Sequence, residues 1–150
     1  MKKKILAGIG AFALSFSLLG SASAAGNVQA DLAKVRNATA KYHDVRKAIA
    51  DGYISTEFVV PNMGIHFVKE ELIDGVTDPL TPEVLVYEPT KNGLKLVAVE
   101  YMSTVPNRLF GLEMDPPHDG LPFSLHAWIW APNPDGMFKP FNPRVANVED

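Results

Sequence analysis

The chain has 150 residues, a formal charge of −3 and no cysteine. The last point excludes a disulfide framework, thiolate metal sites and cysteine nucleophiles. With 14 basic against 17 acidic residues and no basic stripe, nucleic acid and anionic membrane surfaces are poor candidates as partners.

Met1 to Ala24 reads as a secretory signal peptide. Lys2, Lys3 and Lys4 form a positive n-region, Ile5 to Leu19 an unbroken apolar run, and Ser21-Ala22-Ser23-Ala24 the small residues a signal peptidase requires. The run is shorter than the roughly twenty residues that span a bilayer as a helix, and no second hydrophobic segment follows. Without cysteine there is no lipid anchor. The expectation is an exported protein, periplasmic or secreted, with no membrane span after processing and one domain over residues 25–150. Loss of the three lysines leaves 11 basic residues against 17 acidic ones, a net charge near −6.

Asn27 to Asp51 is expected as one long helix. Val28, Leu32, Val35, Ala38, Tyr42, Val45 and Ile49 recur at spacings of three and four and make one apolar stripe. Lys34, Arg36, Lys41, Asp44 and Lys47 fall on the other faces. Asn27 suits the N-cap and Gly52 the C′ position. Five strands follow, at Thr56–Val60, Ile65–Val68, Val84–Glu88, Leu94–Met102 and Ser124–Trp130, each bounded by Pro, Gly, Asn or Asp. Thr90-Lys91-Asn92-Gly93 is the clearest hairpin, with Asn-Gly suited to a type I′ turn. A regular ladder from that turn sets Val84 and Val86 on one face with Val97, Val99 and Tyr101. Leu85 and Tyr87 then share the other face with Ala98, Glu100 and Met102.

Seven of the twelve prolines lie between Pro116 and Pro143. Met137, Phe138 and Phe141 are too apolar for a solvated tail, so an ordered, extended segment packed on the domain or on a neighbouring subunit is expected there. The fold class is α+β: an N-terminal amphipathic helix on a curved, mainly antiparallel sheet, closed by the proline-rich segment.

Ala38-Thr-Ala-Lys-Tyr-His-Asp-Val45, Gly64-Ile-His-Phe-Val68, Pro82-Glu-Val-Leu-Val-Tyr-Glu-Pro89, Val97-Ala-Val-Glu-Tyr101 and Leu125-His-Ala-Trp-Ile-Trp130 with Pro132-Asn-Pro-Asp-Gly-Met-Phe138 span nearly all of the mature chain. In these motifs it resembles a family of small exported bacterial proteins of unknown function. The resemblance implies an exported, ordered single domain and brings no activity, substrate or cofactor with it.

Strand alternation assembles the best chemical constellation. Ile65 and Phe67 flank His66, Glu100 shares the face of Ala98, and His126 alternates with Leu125 and Ala127. Three strands thus set His66, Glu100 and His126 on the face opposite the helix. Two imidazoles and a carboxylate are a ligand set for a divalent transition metal, Zn²⁺, Cu²⁺ or a 2-His-1-carboxylate iron. A common face does not make neighbours, and structural histidines with Glu100 paired to a lysine or arginine remain the alternative. Tyr87, Met102, Trp128 and Trp130 are expected beside them, lining an apolar ligand pocket, filling a second small core under the proline-rich segment, or forming a subunit interface. His118 reads as a loop residue and His43 as a surface one. No nucleophile elbow, HExxH, phosphate loop or EF-hand is present. Gly64 and Gly111 read as turn or bulge positions.

The function expected is a non-enzymatic, exported binding protein that takes a small ligand or metal ion on the His/Glu/aromatic face. The alternatives are a metal-dependent enzyme using the same residues and an assembly protein using the aromatic face. The aromatic face favours a homo-oligomer over a monomer.

Overall fold

The computed structural model describes residues 19–147, with side chains from Asn27 onward, so the expected signal segment lies outside the described residues as far as Leu18. Helix α1 (Leu19–Thr39) passes into a 3-10 turn (Ala40–His43) and a short helix α2 (Val45–Ala50). Asn27 is inside α1 rather than its N-cap, because the Ala- and Ser-rich stretch before it propagates the helix. The expected single helix is also broken, at Asp44. Its backbone is extended (φ −88°, ψ 102°) and its carboxylate accepts from the Arg46 N–H at 3.1 Å, capping α2. Leu32, Val35 and Tyr42 are buried as the stripe requires, but the break resets the phase: Ala48 turns in and Ile49 turns out, 57% exposed. Gly52, at φ +96°, ends α2 in the expected place.

Strands β1 (Ile54–Ser55), β2 (Ile65–Val68), β3 (Val84–Thr90) and β4 (Gly93–Ser103) lead to a small separate hairpin, β5 (Arg108–Leu109) and β6 (Leu112–Glu113), and then β7 (Phe123–Ala127). The main sheet has the order β1-β2-β3-β4-β7, every pair antiparallel. This is the α+β fold expected from sequence. Thr56–Val60 is not a strand. Thr56 N–H still donates to His66 O, but Glu57 adopts a left-handed backbone (φ 67°), and only Val60 returns to form an isolated bridge with Gly64. Gly64 is a close-approach position: a Cβ there would stand 2.3 Å from Tyr87 O. Gly111 closes the β5–β6 turn at φ +78°.

The β3–β4 hairpin turns on Lys91-Asn92, one residue earlier than a type I′ Asn-Gly turn. Asn92 N–H donates to the Thr90 hydroxyl, and Gly93 supplies the positive φ. The ladder runs regularly from Thr90↔Gly93 to Tyr87↔Leu96, after which Val86 pairs with Ala98 rather than Val97. This β-bulge inserts Val97 and slips the register by one, which exchanges faces for every residue beyond it. Val84 and Val86 therefore share a face with Ala98 and Glu100, whereas Leu85 and Tyr87 share theirs with Val99 and Tyr101. Tyr87 lies under the helices, not on the outer face.

The inner face (Phe67, Leu85, Tyr87, Leu96, Val99, Tyr101, Leu125) meets Leu32, Val35 and Tyr42 in the main core. All four tyrosine hydroxyls donate across elements: Tyr42 to Asp51 Oδ2, Tyr53 to Pro82 O, Tyr87 to Tyr42 O and Tyr101 to Pro79 O. On the outer face Val84, Val86, Ala98, Met102 and Trp128 meet Ala131 and Val145 in a second core. The proline-rich segment is thus packed on its own domain. Trp128 N–H donates to Met137 O and Trp128 Nε1–H to Lys139 O, while the 140s are held by Asn142 N–H to Asn62 O and Ala146 N–H to Glu88 Oε1.

Glu83, at the entrance to β3, is buried and accepts from the Met102 N–H at 3.1 Å. Burial pushes its carboxyl up to about 7, against the single backbone bonds that favour the charge. The folded state therefore holds a proton that the unfolded chain releases near pH 4.5. That stabilisation is complete below the unfolded value and is lost as pH rises through about 7. Glu83→Gln should keep the acceptor without the charge. Its thermal midpoint is expected to gain on wild type by several degrees at pH 8 and by little at pH 5, measured by calorimetry across that range. A constant offset at all pH values would contradict it.

Candidate metal centre

Cross-strand pairing builds the site. Val68, Val84, Glu100 and His126 form one row across β2, β3, β4 and β7, and His66, Val86 and Ala98 form the next. The short side chains of Val86 and Ala98 leave room for the longer His66 and Glu100 to lean toward each other over β3. His66 Nε2 lies 3.4 Å from Glu100 Oε2, and His126 Nε2 lies 3.6 Å from the same oxygen. One ligand atom from each residue falls within 4.8 Å of the other two. His66, Glu100 and His126, expected on one face, are therefore also neighbours in the fold.

Glu100 is 2% exposed and His126 4%. Glu100 Oε2 and His126 Nε2, the atoms that face each other, are buried and have no hydrogen-bond partner among the described residues. Burial, reinforced by Asp115, pushes the Glu100 carboxyl up to about 8. Burial, reinforced by His66 and His118, pushes the His126 imidazole down to about 3, and burial likewise lowers His66. The contacts are therefore not ion pairs: neutral imidazoles meet a carboxyl group that burial discourages from ionising. Orphaned buried polar atoms cost about 1–3 kcal/mol each, so a cluster of them needs a reason. A divalent metal would supply one. Tetrahedral bonds of 2.0–2.1 Å set ligand atoms about 3.3 Å apart, close to the two Glu100 distances, and neutral imidazoles are already in the ligating form.

Compared with known proteins, the chain matches no family model, no curated protein and no solved structure. The site's chemistry therefore rests on its own geometry.

The triad opens on a cleft of about 1050 Å³ between the outer sheet face, the 112–121 arm and the 136–141 stretch of the proline-rich segment. Of the four expected ligand-contacting residues, only Met102 lines it. Tyr87 is on the inner face because of the Val97 bulge. Trp130 is there too, because the alternation is interrupted: Ile129 N–H bonds back to Ala127 O, a turn around Trp128 that ends β7, before Trp130 N–H returns to Val97 O. Trp130 Nε1–H then donates to Thr39 Oγ1, and the ring meets His43 edge-on. Trp128 stays on the outer face but is sealed beneath the proline-rich segment, its ring nearly parallel to His126 with centroids 6.1 Å apart. It fills the second core and backs the His126 imidazole. His118 lies on an exposed turn at the cleft's margin, and His43 is exposed.

Thr56, Phe58, Met63, Met137 and Phe138 line the cleft without having been expected there. For Met137 and Phe138 the signal was their apolarity within a proline-rich stretch. Thr56 and Phe58 were hidden by the expected strand, which would have treated them as ladder residues.

Proposed function

We propose that the protein is an exported binding protein that holds a divalent transition metal ion through His66 Nε2, Glu100 and His126 Nε2. The observation that carries this reading is the convergence, on one buried point, of three ligand atoms of which two have no other partner. The rigid sheet under the site supports it, because strands fix the three Cβ positions before the ion arrives. Export rests on the charged, apolar and small-residue pattern of residues 1–24. The tryptophans and Tyr87 are engaged within one chain, so they give no support to assembly through an aromatic face. Among the described residues no helix is long and apolar enough to cross a membrane.

Metal content by mass spectrometry tests the reading, on protein purified from the periplasm without chelator or affinity tag. Near-stoichiometric metal is expected in wild type, and its loss in a still-folded His66→Ala/His126→Ala variant. Metal-free wild type that also takes up no Zn²⁺, Cu²⁺ or Fe²⁺ would end it. A metal-dependent enzyme is the second reading. It is favoured by the open side of the triad, since catalytic sites keep three protein ligands and leave a position free.

A further inference from the structure

The cleft is far larger than an ion requires. Ligand sites of about 300–1,000 Å³ hold small organic molecules, and this one measures about 1050 Å³. Much of its wall is carbon and sulfur, from Phe58, Met63, Met102, Met137, Phe138 and Phe141. Large apolar side chains stand exposed at its mouth, Phe58 at 62% and Phe141 at 53%, with Leu112 and Leu121 also exposed. Apolar groups gathered around one opening mark a surface that something covers.

Charged side chains line the cleft too, Glu113, Asp115, His118, Asp119 and Lys139, but none of them carries a buried atom without a partner. Three buried side-chain atoms lack a partner among the described residues: Glu100 Oε2, His126 Nε2 and Thr56 Oγ1. All three residues line this cleft. Thr56 N–H bonds to His66 O, extending the β1–β2 ladder by one step, so the Thr56 side chain rises from the same face as His66. In the sheet order this hydroxyl stands on the far side of His66 from Glu100 and His126.

We infer that the cleft binds an amphipathic monocarboxylate, its apolar tail along the Met/Phe walls and its carboxylate on the metal held by His66, Glu100 and His126. The inference rests on the proposed metal site and names what completes it. Two neutral imidazoles and one ionised Glu100 leave a divalent ion with one net positive charge. Asp115 lines the cleft but is not one of the three grouped ligand residues, so one anionic oxygen head in the open position neutralises the charge at the ion itself. A neutral head leaves the charge standing and a cationic head adds to it. The Met and Phe side chains along the cleft suit an apolar tail.

Isothermal titration of the Zn²⁺-loaded protein with dodecanoate, dodecanol, dodecyltrimethylammonium and acetate, all below micelle-forming concentrations, tests both halves. Saturable binding of dodecanoate is expected, with acetate weaker by at least about 100-fold, and the alcohol and the ammonium weaker by at least about 10-fold. Phe58→Ser/Phe141→Ser, at the exposed mouth, should weaken dodecanoate about 10-fold and leave Zn²⁺ uptake unchanged. Zn²⁺ uptake without dodecanoate binding, or with equal binding of all three long-chain heads, would overturn the inference and leave the metal site standing. Failure to take up Zn²⁺ at all would overturn the metal site, and with it the seat for the head group.

Discussion

Replacing Glu100 with leucine is expected to make the metal-free protein more stable while removing its response to metal. Wild type buries a carboxyl group whose Oε2 has no partner, facing an imidazole nitrogen in the same condition. Leucine of similar volume removes the desolvated group, and substitutions of this kind at buried polar clusters are neutral or stabilising by about 1–4 kcal/mol. Metal bound only to the folded state adds about 2.7 kcal/mol at a hundredfold excess over its dissociation constant. Thermal unfolding of both proteins, with chelator and with Zn²⁺, separates the effects. Wild type should rise on addition of Zn²⁺, and Glu100→Leu should start higher and stay where it starts. A variant less stable than chelated wild type and still stabilised by Zn²⁺ would place the ion elsewhere and make Glu100 structural.

Trp128→Ala is expected to produce the largest loss of stability. The indole is 1% exposed, lies at the centre of the outer core with Val86, Ala98, Met102 and Val145, and donates Nε1–H to Lys139 O at 2.6 Å. Removing a buried tryptophan costs about 3–5 kcal/mol. The side chain is also the peg on which residues 131–147 are hung, so the loss should be local as well as global. Urea unfolding should show the drop, and limited proteolysis should cut first within residues 131–147. An unfolding free energy within about 1 kcal/mol of wild type would mean that the Asn62–Asn142 and Glu88–Ala146 bonds hold the segment by themselves.

Much of this architecture is legible in the sequence, and the exceptions have identifiable causes. The helical stripe predicts Leu32, Val35 and Tyr42 as core, and alternation in Ile65–Val68 and Leu125–Ala127 assigns His66 and His126 to the outer face. Glu100 reaches the same face by a less direct route. The sequence offers no sign of the Val97 bulge, since Leu94 to Met102 reads as an unbroken strand. A regular ladder would have put Tyr87 on the face of Glu100. The bulge instead gives Tyr87 to the helices and sets Val86 and Ala98 beside the triad, whose small side chains make room for it. Asp44 carried a readable signal, a cap residue followed by a new apolar turn, which the continuity of the stripe concealed. Trp130 followed the alternation of its strand on paper, but alternation holds only while the chain stays extended, and the turn at Trp128 ends it. The cleft walls come from segments distant in sequence, residues 56–63, 102, 112–121 and 136–141, so no local pattern could draw them together.

The most direct test of the metal centre is X-ray absorption at the zinc edge on the Zn²⁺-loaded protein. Two imidazole nitrogens should appear, with oxygen making up the remaining shell, all at about 2.0–2.1 Å, and the imidazole signal should fall by half in His126→Ala. A shell of oxygen alone, or one unchanged by that substitution, would show that the ion does not sit between His66, Glu100 and His126.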